Sequence, residues 1–361
     1  MHIVHSESSC GWGGQEIRVL EEAAGMRSRG HRVTLLCPRE ARIHDEAATR
    51  GVTAVALPIA RKSLAGWRAM RTWLAQETCD VLNSHSSTDS WLAALALLGL
   101  SPRPALVRTR HISAAVPDNI ATRWLYQSAT SRIVTTGERL REQLIRDNRY
   151  RPETIVSVPT GIDLARYAPA DRAQAKAKLG LDPVQPCIGI VATLRSWKGH
   201  RYLVEAFAGL KQTNARLLMV GDGPGRDNLK RQVAQLGLGE RVHMPGNQAD
   251  VVPWLQALDV FALPSYANEG VPQALMQAMA AGVPVISTRV GSIDELIRHE
   301  ETGLMVPAQD AAALRAAIER LLGDPALGEK LAQAARAWVQ SRYSRERMLD
   351  SMEAVFRGIA P

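Results

Sequence analysis

The sequence predicts an α/β protein made of two domains, each a doubly wound parallel sheet. Three observations carry this. At 361 residues the chain exceeds the usual size of a single domain, and 46% hydrophobic content leaves ample core for two. Strand and helix signals alternate along its whole length, the pattern of helices layered on parallel sheets. A stretch at 168–186, rich in Ala, Pro and Asp and without a long apolar run, separates one such series from another and reads as a linker. The expected domains are therefore 1–168 and 169–344.

In the first series the strand candidates are 2–5, 33–37, 52–57, 81–83, 105–109, 133–135 and 155–158, with helices at 15–29, 64–77, 89–98 and 138–146. In the second, strands are expected at 188–192, 217–220, 242–244, 260–263 and 285–287, with helices at 201–211, 227–236 and 310–322. Doubly wound sheets bind ligands at the carboxyl edges of their strands, so loops at those edges are the candidate sites.

The segment 265–287, SYANEGVPQALMQAMAAGVPVIS, is the most informative of these loops. A polar loop follows the short strand at 260–263, and Pro272 suits the first turn of a helix, where no backbone N–H is needed. Ala274, Leu275, Ala278 and Met279 form an apolar stripe, and Gly282 stops the helix before the next strand. Glu269 thus stands at a helix N-terminus, with Gln277 one and a half turns inside. Backbone N–H groups near Val271, Gln273 and Ala274 would point at a bound anion. A carboxylate repels phosphate but suits hydroxyl groups beside one, as in a sugar phosphate. A buried strand–helix–strand unit with an acidic loop fits the same residues.

Two further strand-end loops share these features. Ser8–Gln15 carries Gly11, Gly13 and Gly14 ahead of a helix, which lets backbone approach a phosphate, although a tight turn without ligand has the same composition. It is not GxGxxG, and no well-placed acidic residue follows the second strand, which disfavours a dinucleotide site. In the second series the loop 193–199 sets Arg195 and Lys198 beyond a strand end, where a fork and a point charge would meet a diphosphate. His85 and His111 each close a strand; such histidines are commonly structural, and two on one edge strengthen the case for one of them.

Composition excludes other classes. The net charge is +8, and residues 1–168 carry 22 Lys+Arg against 16 Asp+Glu, but no nucleic-acid recognition motif accompanies that charge. Cys10, Cys37, Cys79 and Cys187 lie far apart with no CxxC pair, which suits a reducing cytosol rather than zinc or disulfides. There is no HExxH or Asp-x-Asp, so no metal is expected. No apolar run spans a bilayer, and the first strand begins at once, so neither a transmembrane segment nor a signal peptide is expected.

Taken together, GGQE at 13–16, His111, VPTGID at 158–163, KG at 198–199, VGDGP at 220–224, the EGVP region and ETGLMVP at 301–307 resemble glycosyltransferase family 4, and the resemblance runs over nearly the whole chain. It implies the GT-B fold, two Rossmann-like domains facing across a cleft, with a C-terminal helix at 345–357 returning to the first. It implies a retaining enzyme that moves a sugar from a nucleotide-diphosphate donor to a saccharide or lipid-linked acceptor of the cell envelope, such as lipopolysaccharide, without metal or other cofactor. Lys198 and a nearby arginine, here Arg195, would hold the diphosphate. Glu269 would contact the sugar hydroxyls, and backbone from Gly270 through Val271 to Gln273 the sugar and phosphates. Met244 would meet the nucleobase, His111 the reacting centre, and Gly13 and Gly14 the phosphate and acceptor.

Two positions depart from the family pattern. Gln277 replaces a second glutamate at the ribose, where an amide still donates and accepts. The arginine of the family's GRL motif falls on Thr193. Gln277 can serve as neither nucleophile nor base, which counts against a two-carboxylate hydrolase. A catalytically idle nucleotide-sugar-binding scaffold is the alternative of a different class. On the acceptor side, 61–74 projects as a helix with Trp67, Met70 and Leu74 on one arc and Arg61, Arg68 and Arg71 beside it. That pattern suits an interfacial helix on the anionic inner face of the cytoplasmic membrane, and equally an ordinary sheet-covering helix.

Overall fold

In the computed structural model residues 1–112 and 114–360 are described. The chain divides into two compact units, one of Met1–Gly161 with the chain from Glu346 onward, the other of Ile162–Arg345. The division falls at 161/162, ahead of the Ala- and Pro-rich stretch.

The first unit holds β1 (His2–Ser6), β2 (Arg32–Cys37), β3 (Thr53–Ala56), β4 (Val81–Ser84), β5 (Ala105–Arg110), β6 (Arg132–Thr135) and β7 (Ile155–Ser157), in the order β3-β2-β1-β4-β5-β6-β7. The second holds β8 (Cys187–Val191), β9 (Arg216–Val220), β10 (Val242–Gly246), β11 (Val260–Leu263), β12 (Val285–Thr288) and β13 (Leu304–Val306), in the order β10-β9-β8-β11-β12-β13. Every pairing is parallel. Both units are therefore the doubly wound sheets that the sequence predicts. In each, strand order reverses between the first strand and the fourth, β1 beside β4 and β8 beside β11, and ligands of such sheets bind at that switch point.

Parallel strands covered on both faces read as near-continuous apolar runs, as VFAL in β11 and CIGIV in β8 do. Strands of the first unit depart from the rule. β1 buries His2 and His5, and β5 (ALVRTR) buries Arg108.

The stretch at 168–186 is not a free linker. Asp171 caps a helix at Arg172–Lys178 by accepting from the Gln174 amide at 2.8 Å. Buried Lys176 donates to Asp259 Oδ2 at 2.8 Å, the same oxygen that accepts from the Cys187 amide at the start of β8. A buried lysine needs such a partner, so this segment is fastened to the second unit.

The helix Leu64–Gln76 is capped by Ser63 and turns its apolar arc inward, with Met70 and Leu74 buried and Trp67 packed beside them. Arg71 donates to the carbonyls of Ala96 and Leu98, both at 2.7 Å, closing the end of the neighbouring helix Ser87–Ala96. These contacts are those of an ordinary sheet-covering helix. Its apolar face is used by the core, and Arg61 and Arg68 remain as exposed cations. Among the described residues no helix is long and apolar enough to cross a membrane.

The last helix, Arg345–Arg357, buries Met348, Leu349, Met352 and Phe356 in the first unit's core with Val19, Ala23 and Met26 of the helix Gly14–Ser28. A Cβ at Gly25 would come within 2.5 Å of Leu349 Cδ1, so glycine is what lets the two helices approach. Arg29 fastens the contact through Asp350 at 2.8 Å and Glu353 at 3.0 Å. Leu349→Ala should cost the first unit about 2–5 kcal/mol by leaving a cavity against Gly25. Chemical denaturation of the two proteins measures it, and a cost within error of zero would show that this helix is not part of the core.

Candidate functional site

In the second unit the switch-point loops meet through a glycine and an ion pair. After β8 the chain makes a tight turn at Ser196–Lys198 and enters the helix His200–Ala208 through Gly199 at φ +78°. A Cβ there would lie 1.9 Å from the Pro264 carbonyl, just beyond β11. The Tyr266 amide donates to the Trp197 carbonyl at 2.8 Å. Lys198 Nζ then reaches both oxygens of Glu269, at 2.7 and 2.9 Å, and Ser265 Oγ donates to Oε1 at 2.6 Å. Glu269 is only 4% exposed. Gly291 (φ +59°) passes so close that a Cβ would sit 2.0 Å from the Glu269 carbonyl.

The neighbouring residues line up from this pair. Gly270 is half-buried and Val271 buried. Pro272 is the N-cap rather than a first-turn residue, so Gln273 opens the helix Gln273–Ala280. Gln277 is 8% exposed, and among the described residues its side chain has no hydrogen-bond partner. Arg195 is exposed, with its guanidinium 5.4 Å over the Trp197 ring, and is not drawn into the ion pair. The Met244 carbonyl already accepts from Arg226 Nη2 at 3.1 Å. Arg226, two residues after the VGDGP turn and missed from the sequence, also lies 3.6 Å from Asp222. The turn itself is joined to the β8 loop, since Leu194 donates to the Asp222 carbonyl at 3.0 Å and accepts from Gly225 at 2.8 Å.

The first unit's switch point is tied by two buried carboxyl groups that sequence reasoning also missed. Glu7 accepts from the Ser9 amide at 2.8 Å and from the side chains of Gln15 and Ser86. Asp89 accepts from Ser6, Ser8, and the His85 and Ser86 amides at 2.9–3.1 Å. Burial pushes both groups' pKa values up, and in Glu7 the neighbouring Asp89 adds to it. This network fixes the loop carrying Gly13 and Gly14. Gly13 is the extended N-cap of the helix Gly14–Ser28, and its carbonyl accepts from Ile17.

The two strand-end histidines come together, and a third joins them. His111 Nε2 lies 3.0 Å from His85 Nδ1, and His85 Nε2 lies 3.0 Å from His5 Nδ1. Burial holds all three imidazoles in the neutral form, His5 down at about 3. Neutral imidazoles each offer one donor and one acceptor, which is what a hydrogen-bonded chain of three needs. Among the described residues, no group of three or more His, Cys, Asp and Glu side chains could hold a metal ion.

Comparison with known proteins gives a consistent result. Residues 12–166 match the family model Glycosyltransferase Family 4, and residues 171–338 match that of Glycosyl transferases group 1. A D-inositol 3-phosphate glycosyltransferase of Pseudarthrobacter chlorophenolicus is 30% identical over 291 residues, covering 74% of this chain and 68% of that protein. The lipopolysaccharide core biosynthesis glycosyltransferase LpsE of Rhizobium meliloti is 34% identical over 176 residues, 49% of this chain and 51% of that one. Two other curated relatives are matched over 54% and 48% of their length, so the chain spans about half of each. Among solved structures, Anabaena Alr3699/HepE in complex with UDP-glucose superposes with a TM-score of 0.88 over 99% of this chain and 100% of that one. At 20% identity this likeness carries the fold alone.

The buried histidines make stability depend on pH with a definite sign. His5 and His200 hold folded-state values of about 3, lowered by burial from 6.5. Between pH 3 and 6.5 the unfolded chain therefore binds protons that the folded chain does not. The histidines' contribution to stability should fall as pH drops through that window, by up to about 1.4 kcal/mol per pH unit for each, opposed by Glu7, Glu22 and Asp89, whose raised values favour the folded state as pH falls. Denaturation at pH 7 and pH 5 reads the slope, and His5→Gln should remove the His5 share of it, making the first unit more stable at pH 5 relative to pH 7 than in the parent. A slope unchanged in that variant would contradict the assignment.

Proposed function

Since the chain belongs to glycosyltransferase family 4, we propose that it moves a sugar from a nucleotide-diphosphate donor to a saccharide or lipid-linked acceptor, with retention and without a metal. The observation that carries this is the Lys198–Glu269 pair at the second unit's switch point, beside the start of a helix. The donor diphosphate would take Lys198 as its point charge, with exposed Arg195 on the same loop, and the sugar hydroxyls would take Glu269. Charge that develops on the leaving diphosphate is stabilised by those cations and by the helix N-terminus. Same-face attack follows, the leaving phosphate oxygen receiving the acceptor's proton. Gln277, buried and without a side-chain hydrogen-bond partner among the described residues, supplies a neutral donor and acceptor for the ribose diol.

The relative LpsE, named for lipopolysaccharide core biosynthesis, supports a cell-envelope glycan as the acceptor class. HepE, solved with UDP-glucose, makes UDP-sugars the first donors to try. The reaction is read as cytoplasmic. Any contact with an anionic membrane would rest on the exposed cations Arg61 and Arg68, because the apolar arc of their helix is buried.

The test incubates the purified protein with UDP-, GDP- and ADP-sugars, with and without acceptor extract, and follows nucleoside diphosphate release. Acceptor-dependent release from one donor is expected. Nucleotide binding with no turnover under any pairing would favour an idle scaffold instead. With that donor, Gln277→Ala should raise KM about 5–30-fold and change kcat much less, since the lost contacts are worth about 1–2 kcal/mol in ground and transition states alike. An unchanged KM would remove Gln277 from the nucleotide site.

A further inference from the structure

A pocket of about 280 Å³ opens in the first unit beside His111, with Arg108, Arg110, Ser86, Trp91 and Tyr126 in its wall. Arg108 rises from the middle of β5, 5% exposed, with its guanidinium 4.6 Å over the Tyr126 ring. Among the described residues its Nε and Nη1 have no hydrogen-bond partner, and neither does Arg110 Nε. The nearby carboxyl group of Asp89 accepts from two hydroxyls and two amides, and Arg108 is in no ion pair with it. A buried guanidinium left unpaired works against folding, and an apolar residue would fill this strand position more cheaply. Arg110 is held in place by donating to the Tyr126 hydroxyl at 2.7 Å and to the Ala114 carbonyl. Both cations are therefore fixed, and although Arg108 feels the charge of Asp89, among the described residues neither arginine is in an ion pair.

We propose that this pocket binds a phosphate group carried by the acceptor, a phosphorylated sugar or polyol. The word acceptor rests on the glycosyltransferase reading; the phosphate site stands on the pocket alone. Arg108 and Arg110 supply fixed N–H donors of the kind that match an oxyanion. Trp91, stacked on Trp124 with ring centroids 6.2 Å apart, gives the pocket an aromatic edge. The volume is near the lower limit of ligand sites, about 300–1,000 Å³. It admits one phosphorylated ring and not a long glycan.

The experiment uses the full chain and measures binding of inorganic phosphate and glucose 6-phosphate by calorimetry, and sedimentation with phosphatidic acid vesicles. Arg108→Met should bind phosphate about tenfold or more weakly, while melting near the parent's temperature, because the lost stacking on Tyr126 is offset by relief of a buried, incompletely paired guanidinium. Arg108→Lys keeps the charge and should retain part of the binding, which guards against a misfolded methionine variant. Stronger binding of glucose 6-phosphate than of vesicles assigns a soluble sugar phosphate. Vesicle binding that Arg108→Met abolishes, without soluble binding, assigns a lipid-linked headgroup. Equal phosphate affinity in parent and Arg108→Met, no binding of any probe, or displacement of bound phosphate by a nucleoside diphosphate would overturn the proposal. Failure of nucleotide binding with the phosphate site intact would count against the glycosyltransferase reading alone.

Discussion

A carboxylate at 4% exposure needs partners for its oxygens, and for Glu269 the chief one is the cation Lys198. Removing one partner of a buried pair costs about 3–5 kcal/mol; with Lys198 still 21% exposed the cost here lies below that. Much around the pair exists to bring the two together. Gly199 lets the β8 loop lie on the Pro264 carbonyl, Gly291 clears the Glu269 backbone, and Ser265 fills a remaining acceptor position. KG and EGVP are thus two halves of one contact between strand ends far apart in sequence. The pair also gives the site both signs of charge, a cation for a phosphate and a carboxylate for hydroxyls.

The sheets were legible in the sequence because parallel strands buried on both faces must be apolar, and runs such as VFAL admit few other readings. The segment at 168–186 was misjudged because composition registers the absence of an apolar run, and not that a single buried lysine can fasten a short helix to Asp259. The helix Leu64–Gln76 shows the limit of periodicity. An apolar arc says that one face is covered, and the core covers it as readily as lipid does.

Of the candidate site, the sequence supplied the loops and the pair but not the polar scaffolding. Glu7 and Asp89 sit in short segments with no periodic signal, and their importance comes from hydroxyls and amides contributed by other strand ends. The chain of His5, His85 and His111 is formed by three strands side by side, an order fixed only by tertiary structure. Arg108 did leave a signal, a charge directly after the apolar run Ala105–Val107 of its strand, and a strand-by-strand search for such residues would have found it.

The central claim is that Lys198 and Glu269 divide the donor between them, and titration of the two single variants tests it most directly. The affinity of each would be measured for a nucleoside diphosphate and for the matching nucleotide sugar. Lys198→Ala is expected to weaken both ligands alike, because both carry the diphosphate. Glu269→Ala is expected to bind the nucleoside diphosphate nearly as the parent does while losing the additional affinity that the sugar confers. Equal losses for both ligands in both folded variants, or no loss in either, would contradict the division of labour and remove the pair from the donor site.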